Sequence, residues 1–352
     1  MDLVSPFNKV YQLLEDEESK YIYINRLNYL ITEDYKYLQC IFNKSVPKLV
    51  ENQHNRTLDF IASLPQNRPI ILYGAGADGI EKLHYFENDA RFIGFCDRDP
   101  EKQKAGIHGY PVISPDELIL KKDITIVIST RRGLHTIEQF LLENGFEKNS
   151  IYKLANYMID IEPGQYFNPD FIKFEEREIF IDAGCLDLGS AMLMKRYCPT
   201  LHKVYAFEPD PQNYQKCLKN CAQFKNEVVK IFPYATWSKK TKLFFDAESD
   251  GSSRITDNGQ VCIETMPIDE IVDPTEKITF IKMDVEGAEL ESLKGAKETI
   301  KRCRPKLAIC IYHKPEDLTE IPLYIKSLVP EYKLYVRHHS NSIAETVLYA
   351  II

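Results

Sequence analysis

Short apolar runs alternate with amphipathic stretches along most of the chain. Runs such as PIILYG (69–74) and EIFIDA (178–183) have the length of buried strands. The stretches between such runs repeat apolar residues every three to four positions, as helices do. Strands that are separated by crossover helices form parallel sheets. The pattern therefore predicts an α/β fold.

The pattern changes twice along the chain and predicts three regions. Residues 1–67 read as a helical N-terminal segment, residues 68–155 as a small Rossmann-like domain of about three or four strands, and residues 156–352 as a larger Rossmann-like domain. In the last region the runs YKLYVRHHS and TVLYAII predict an antiparallel hairpin at the end of a parallel sheet. The tyrosines of the N-terminal helices could form a ligand surface, but a packed helix face or a homodimer contact is the interpretation that we favour.

Composition excludes several classes of function. The net charge of −8 argues against a non-specific nucleic-acid binder, because such proteins carry basic stripes. No stretch is apolar for long enough to span a membrane, and the N-terminus lacks the apolar core of a signal peptide. Nine cysteines without a C-x-x-C pair suit a reducing compartment. We therefore expect a cytoplasmic protein.

The first glycine-rich turn, GAGADG, contains Gly74, Gly76 and Gly79 between a strand and a helix. This is the context of the dinucleotide fingerprint, and Asp97 ends the next strand, where an acid can bind ribose. However, Asp78 inside the turn would repel a pyrophosphate, and the region has too few strands for a complete dinucleotide fold. A nucleotide or sugar-nucleotide site and a mere scaffold both fit this turn.

A second glycine-containing turn, DAGCLDLGS (182–190), follows a strand of the C-terminal region. Acidic residues follow this strand and two later ones. Asp182, Glu208 and Asp284 each stand at a strand end, and such ends converge on one crevice in an open α/β sheet. A pyrophosphate there would meet negative charge, whereas S-adenosylmethionine has no phosphate and carries a sulfonium and an ammonium. Helix caps and solvated rims are the alternative for these acids, and Asp210 before Pro211 fits an N-cap.

Four motifs carry a family resemblance: FIDAGCLDLGS (180–190), VYAFEPDPQNY (204–214), TMPIDEI (265–271) and FIKMDVEGAELESLKGA (280–296). Together they resemble the FkbM family of S-adenosylmethionine-dependent methyltransferases, over about residues 175–352. The resemblance implies a class I methyltransferase sheet of seven strands with the last pair antiparallel. It also implies O-methylation, often of sugar or polyketide hydroxyls, and cofactor contacts at Asp182, Gly184 and Glu208.

The second glycine turn departs from the family pattern at one position, and the middle region has a looser resemblance of its own. Members of the family often have glycine where Leu188 stands, and Gly189 is displaced from that position by one residue. The middle region more loosely resembles the N-terminal sugar-nucleotide domains of bacterial sugar acyltransferases, through LYGAGADG (72–79) and GYPVISPDEL (109–118).

These observations define the candidate residues. For the cofactor they are Asp182, Ala183, Gly184, Cys185, Glu208, Pro209, Asp210, Ala235 and Asp284. For catalysis, Asp284 is the candidate to deprotonate or orient the acceptor hydroxyl, with His313 in support. A structural cap for the following helix is the alternative for Asp284. The spacing requires no metal, although carboxylates at this position would suit a divalent cation.

The sequence therefore predicts an S-adenosylmethionine-dependent O-methyltransferase that acts on a hydroxyl of a sugar, glycan or related small metabolite. The competing hypothesis is a nucleotide- or sugar-nucleotide-binding protein of the NAD type. In that case Gly74, Gly76, Gly79 and Asp97 would form the binding site, and the C-terminal domain would be a non-catalytic sensor.

Overall fold

The structure is a computed structural model, and it describes residues 5–130, 133–154, 159–167, 169–224, 228–246, 254–255 and 261–352. Its internal contacts divide the chain into two compact units. One unit consists of Met1–Val46 together with Ile161–Ile352, and the other is Pro47–Asp160. The division cuts the helical segment predicted for residues 1–67 at Val46, so its first three helices belong with the C-terminal region. The domain boundaries at 67/68 and 155/156 stay predictions.

The first three helices are α1 (Pro6–Leu13), α2 (Glu17–Thr32) and α3 (Lys36–Ser45). Helix α2 begins at Asp16, whose side chain accepts a hydrogen bond from the Ser19 backbone N–H. The Ser19 hydroxyl accepts a hydrogen bond from the backbone of Val336, and Arg337 forms a 2.6 Å ion pair with Asp16. One face of α2, with the buried Tyr23, thus packs within its own chain, in agreement with the packed-face interpretation of the tyrosines. A homodimer contact through the other faces stays a prediction.

The Pro47–Asp160 unit contains a five-stranded parallel sheet flanked by helices. Its strands are β1 (Ile70–Tyr73), β2 (Phe92–Cys96), β3 (Val112–Ile113), β4 (Thr125–Ile128) and β5 (Ile151–Lys153), in the order β3-β2-β1-β4-β5. The helices are α4 (Pro47–Ser63), α5 (Ala77–Lys82), α6 (Pro100–Ala105), α7 (Pro115–Leu118) and α8 (Leu134–Glu143). The prediction of three or four strands was wrong, because β3 and β5 are too short to show a periodic pattern.

The C-terminal region contains a seven-stranded sheet in the order β15-β16-β14-β13-β6-β7-β8. These strands are β6 (Ile179–Ala183), β7 (Lys203–Phe207), β8 (Val229–Phe232), β13 (Phe280–Met283), β14 (Lys306–Cys310), β15 (Lys333–His338) and β16 (Thr346–Ile351). The helices are α9 (Gly189–Tyr197), α10 (Pro211–Asn220), α11 (Ile268–Ile271), α12 (Glu289–Gly295), α13 (Lys297–Cys303) and α14 (Asp317–Leu328). Strand β16 is antiparallel to both of its neighbours, which confirms the predicted hairpin and the α/β class.

The apolar run VVKIFPYA (228–235) has the pattern of a single strand but is divided in the structure. The run VVKIFPYA (228–235) ends its first strand at Phe232, because Pro233 has no N–H for the ladder. Its last residues start β9 (Ala235–Thr236), which joins a separate four-stranded sheet with β10 (Thr241–Asp246), β11 (Arg254–Ile255) and β12 (Val261–Met266). This second sheet contributes Ala235, Thr236 and Ile263 to the cavity described below. Among the described residues, no helix is both long and apolar enough to cross a membrane.

Candidate active site

A cavity opens at the carboxyl ends of β6, β7 and β13. Strands β6 and β13 are neighbours at the point where the strand order reverses, which is where open α/β sheets bind ligands. The wall includes most positions predicted for the cofactor, namely Gly184, Glu208, Pro209, Asp210, Ala235 and Asp284. Asp182, Ala183 and Cys185 are buried and do not belong to this wall.

The charged side chains that line the cavity are of one sign. Its ionisable side chains are acidic, and none of the described lining residues is basic. The acidic residues are Glu208, Asp210, Asp284 and Glu286. A cavity of this kind attracts a cationic ligand and repels a phosphate.

Gly184 connects the turn after β6 to the end of β13. Its φ of +76° is a conformation that other residues rarely adopt, and a Cβ on it would lie 1.8 Å from the Asp284 carbonyl oxygen. The Asp284 backbone N–H donates to the Ala183 carbonyl at 3.1 Å. This hydrogen bond joins the end of β6 to the end of β13 directly before the turn. The glycine is therefore required by the close approach of two backbone segments at the floor of the site.

Asp182 lies beneath this turn and is fully buried. One carboxylate oxygen is 3.3 Å from the Lys282 ammonium and the other accepts a 2.7 Å hydrogen bond from the Ser190 hydroxyl. Lys282 also donates to the Gly184 carbonyl at 2.6 Å. Burial lowers the pKa of Lys282, but the charges of Asp182 and Asp284 outweigh burial and raise the pKa above its ordinary value. The lysine therefore stays charged. The pair supports the turn from below, and direct contact of Asp182 with a cofactor stays a prediction.

Glu208 presents a carboxylate at the end of β7 with most of its surface buried. Its two oxygens each accept a 2.9 Å hydrogen bond from a backbone N–H, of Leu186 and of Asp210. Burial raises the pKa of Glu208 to about 7, against the opposing effect of these two donors. Asp210 itself caps α10 by accepting from the backbone of Gln212 and Asn213, as its alternative role predicts. Glu208 is thus held in place and retains lone pairs for a donor in the cavity.

Asp284 accepts hydrogen bonds from two tyrosine hydroxyls, Tyr166 at 2.9 Å and Tyr312 at 3.3 Å. Burial raises its pKa, but the charges of Lys282 and His313 and the Tyr166 bond outweigh burial and leave the pKa below its ordinary value. The carboxylate is therefore ionised near neutral pH. Helix α12 has Ala288 at its N-cap and no capping side chain, so the structure gives no support to a cap by Asp284.

His313, in the segment after β14, is surrounded by carboxylates. Its Nδ1 atom is 2.9 Å from Glu289, and its Nε2 atom is 3.5 Å from Glu286 and 3.6 Å from Asp284. Burial lowers the pKa of His313, but the hydrogen bond and charge of Glu289, with Asp284 and Glu286, raise it to about 9. At neutral pH this ring is therefore an imidazolium. Its support of Asp284 in catalysis stays a prediction.

Comparison with known proteins identifies the domain that holds this cavity. Residues 187–333 match the family model described as "Methyltransferase FkbM domain". This part of the chain is an FkbM methyltransferase domain. Gly184 and Asp182 precede the matched stretch, whereas Glu208, Asp284 and His313 lie inside it.

Two curated relatives resemble part of the chain. The hexuronic acid methyltransferase AglP of Haloferax volcanii is 29% identical over 155 residues, which are 42% of this chain and 62% of AglP. The 2-O-methyltransferase NoeI of Sinorhizobium fredii is 25% identical over 182 residues, 44% of this chain and 72% of NoeI. The match to AglP thus spans less than two thirds of that protein. A solved FkbM methyltransferase from Methylobacillus flagellatus superposes with a TM-score of 0.49 at 19% identity, covering 90% of this chain and 100% of the other.

Several residues around Asp284 were not predicted from sequence. Lys282 interrupts the apolar strand β13, and a lysine in a buried strand is a signal that could have found it. Tyr166 reaches Asp284 from far away in the chain, and Glu345 has an oxygen 3.4 Å from the Tyr312 hydroxyl. Burial raises the pKa of Glu345 to about 7, with the Asp284 charge adding to the effect. No local sequence pattern predicts that Tyr166 or Glu345 lies near Asp284.

The second predicted site lies in the Pro47–Asp160 unit, outside the FkbM domain. Gly74, Gly76 and Asp97 line a cavity at the carboxyl ends of the parallel strands, together with Tyr73, Arg98, Lys102 and Thr130. Asp97 accepts a 2.7 Å hydrogen bond from the Ala75 backbone, so it holds the glycine turn itself. Gly79 does not line the cavity, and a Cβ there would lie 2.0 Å from the Gly74 carbonyl. Its role is close packing of the turn.

Proposed function

We propose that the chain is an S-adenosylmethionine-dependent O-methyltransferase that modifies a hydroxyl of a sugar or glycan. The observation that carries the proposal is the cavity at the β6–β13 switch point, with acidic side chains and no basic one among its described lining residues. A sulfonium and an ammonium are attracted to such a wall, whereas the pyrophosphate of NAD would be repelled. The FkbM domain match supports the same class of enzyme.

The parts of the cofactor can be assigned to parts of the wall. Glu208 would accept hydrogen bonds from the ribose hydroxyls, as acids at this strand end commonly do. The backbone beside Gly184 would approach the methionine part, because no side chain intervenes there. The apolar side chains of Phe207 and Ile263 would pack against adenine.

Methyl transfer in this site needs positioning and one proton acceptor. A bond forms between the acceptor oxygen and the methyl carbon as the carbon–sulfur bond breaks, and sulfur keeps the electron pair to leave as neutral S-adenosylhomocysteine. Alignment of the two reactants supplies most of the acceleration. The acceptor proton passes to Asp284, which is ionised and lines the cavity. A well-placed base contributes about 10²–10⁴-fold.

A sugar acceptor is supported by the relative whose description names one. AglP is described as a hexuronic acid methyltransferase. We therefore propose a hexose or hexuronic acid hydroxyl as the acceptor.

The experiment is transfer of labelled methyl groups from S-adenosylmethionine to a panel of free and nucleotide-linked hexoses and hexuronic acids. We expect label in at least one sugar, and mapping of the methylated position would identify the hydroxyl. Uptake confined to non-sugar acceptors would contradict the substrate class, and absence of S-adenosylhomocysteine binding would contradict the enzyme class.

We further propose that the cavity of the Pro47–Asp160 unit binds a nucleotide-linked sugar. The observation that favours it is the Tyr73 hydroxyl, buried at the end of β1 with no hydrogen bond of good geometry among the described residues. Burial raises the pKa of Tyr73 to about 12, against a small opposing effect of Arg98. Arg98 and Lys102 line the same cavity and could pair with a diphosphate.

Gly76 offers a clean test of this second site. Its backbone is extended, and a Cβ on it would meet nothing within 4 Å, so a larger side chain would fill the cavity without strain. Calorimetry against UDP-, GDP- and CMP-sugars and NAD should show binding that Gly76→Val abolishes while S-adenosylhomocysteine binding is unchanged. If wild-type protein binds none of these ligands, the unit is a scaffold.

A further inference from the structure

Three side chains at the edge of the methyltransferase cavity have the geometry of a metal-binding set. Asp284, Glu286 and His313 each offer one ligand atom, and these atoms all lie within 4.8 Å of one another. Asp284 and Glu286 line the cavity, so an ion held by the three would face it. Asp284 directly follows β13 and His313 follows β14, which are adjacent parallel strands.

The position of His313 is the observation that points to a ligand beyond this acidic cluster. Its side chain is only 10% exposed, and its Nε2 atom makes no hydrogen bond of good geometry among the described residues. The Nε2 atom is 3.6 Å from Asp284 and 3.5 Å from Glu286, which is too long for a hydrogen bond. A buried nitrogen that is aimed at two carboxylates without bonding to either leaves room for a cation between them.

The distances agree with shared coordination. Ligand atoms that bind one ion at about 2.0–2.2 Å lie roughly 3.0–3.6 Å apart when they occupy adjacent positions. Both Nε2 distances fall in this interval. On the other side of the ring, Nδ1 is 2.9 Å from Glu289, a buried carboxylate of the kind that orients metal-bound histidines.

We propose that Asp284, Glu286 and His313 bind one divalent cation of the Mn²⁺ or Zn²⁺ type. Two carboxylate oxygens and one imidazole nitrogen suit such ions better than Ca²⁺ or Mg²⁺, which prefer all-oxygen sites. Three protein ligands leave coordination positions open, as in catalytic rather than structural sites. The open positions would face the cavity, on the side of Asp284 and Glu286.

The role of the cation rests on the proposed function, whereas its binding does not. An acceptor hydroxyl coordinated at an open position would lose its proton more readily. The cation would also fix the acceptor oxygen in line with the methyl group. A sugar with neighbouring hydroxyls could occupy two open positions at once.

The test is calorimetry and electron paramagnetic resonance with Mn²⁺ alone, on the full chain after treatment with a chelator. We expect one site per chain, with nitrogen modulation of the Mn²⁺ signal from the His313 ring. Glu286→Gln and His313→Gln should each weaken Mn²⁺ binding at least tenfold, and His313→Gln should abolish the modulation. Glu291→Gln is the matched control, because it makes the same change on α12 where the carboxylate pairs with Lys294 instead.

The outcomes separate this inference from the proposed function. Wild-type protein without a Mn²⁺ site, or with binding that the two variants leave unchanged, would overturn the metal site even if S-adenosylhomocysteine still binds. Circular dichroism of each variant checks that the fold is retained. If wild-type protein does not bind S-adenosylhomocysteine, that result contradicts the methyltransferase proposal, whereas the Mn²⁺ result is unaffected.

Discussion

The Gly184 Cα and the Asp284 carbonyl oxygen approach so closely that a Cβ on Gly184 would lie 1.8 Å from that oxygen. The contact joins the turn after β6 to the end of β13, and both segments border the cavity. A side chain at position 184 would therefore force one of these two backbone segments to shift.

Gly184→Ala should destabilise the FkbM domain and weaken cofactor binding. A left-handed backbone costs an alanine roughly 1–2 kcal/mol, and the clash with a backbone atom adds to this cost. Urea denaturation followed by the fluorescence of Trp237, the only tryptophan, reports on this unit. Gly287→Ala is the control: its φ is also positive, but a Cβ there meets only the flexible end of Lys314. Equal losses in the two variants would contradict the close-approach argument.

Lys282→Met should be strongly destabilising, because it leaves the Asp182 carboxylate buried without its partner. Removal of one member of a buried ion pair typically costs about 3–5 kcal/mol. The double variant Lys282→Met with Asp182→Asn removes both charges and should recover part of that loss, since Asn can still bond to Ser190. The same fluorescence experiment measures both. A single variant as stable as the wild type would show that the pair does not support the turn.

Much of this arrangement could be predicted from sequence, and the reason is local. Apolar periodicity predicts the strands, and acids after three of them predict the charged cavity, because parallel strand ends converge. Tyr166 could not be predicted, since its hydrogen bond to Asp284 joins residues far apart in the chain. Asp182 looked like a cavity residue, but its pairing with Lys282 from the neighbouring strand places it under the turn. Strands β3 and β5 are too short to produce a pattern.

Asp284→Asn should lower methyl transfer by about 10²-fold or more while cofactor affinity stays within a few-fold of the wild type. Asparagine can still accept the Tyr166 hydrogen bond but cannot take a proton at neutral pH. Turnover is measured with saturating S-adenosylmethionine and the sugar acceptor, and affinity by S-adenosylhomocysteine titration. Near wild-type turnover would remove Asp284 from the role of proton acceptor.

Cofactor affinity should depend on pH through Glu208. Its pKa of about 7 in the free protein means that the carboxylate is partly protonated near neutrality. Ribose hydroxyls bind the ionised form better, so affinity should be constant well above pH 7 and fall by up to about tenfold per pH unit below it. Asp284, whose pKa is lowered, stays ionised across this window. S-adenosylhomocysteine titrations between pH 5.5 and 8.5 measure the profile, and a flat profile in wild-type protein would contradict the assignment.

The most direct measurement of the central claim is calorimetric titration of the whole chain with S-adenosylhomocysteine, for wild-type protein and for Glu208→Ala at pH 8. We predict binding at one site per chain in the wild type. Removal of the Glu208 carboxylate should weaken it by about 1.5–3 kcal/mol, the range for hydrogen bonds to a charged group. An unchanged affinity in a folded Glu208→Ala protein, or no binding by the wild type, would contradict the cofactor assignment.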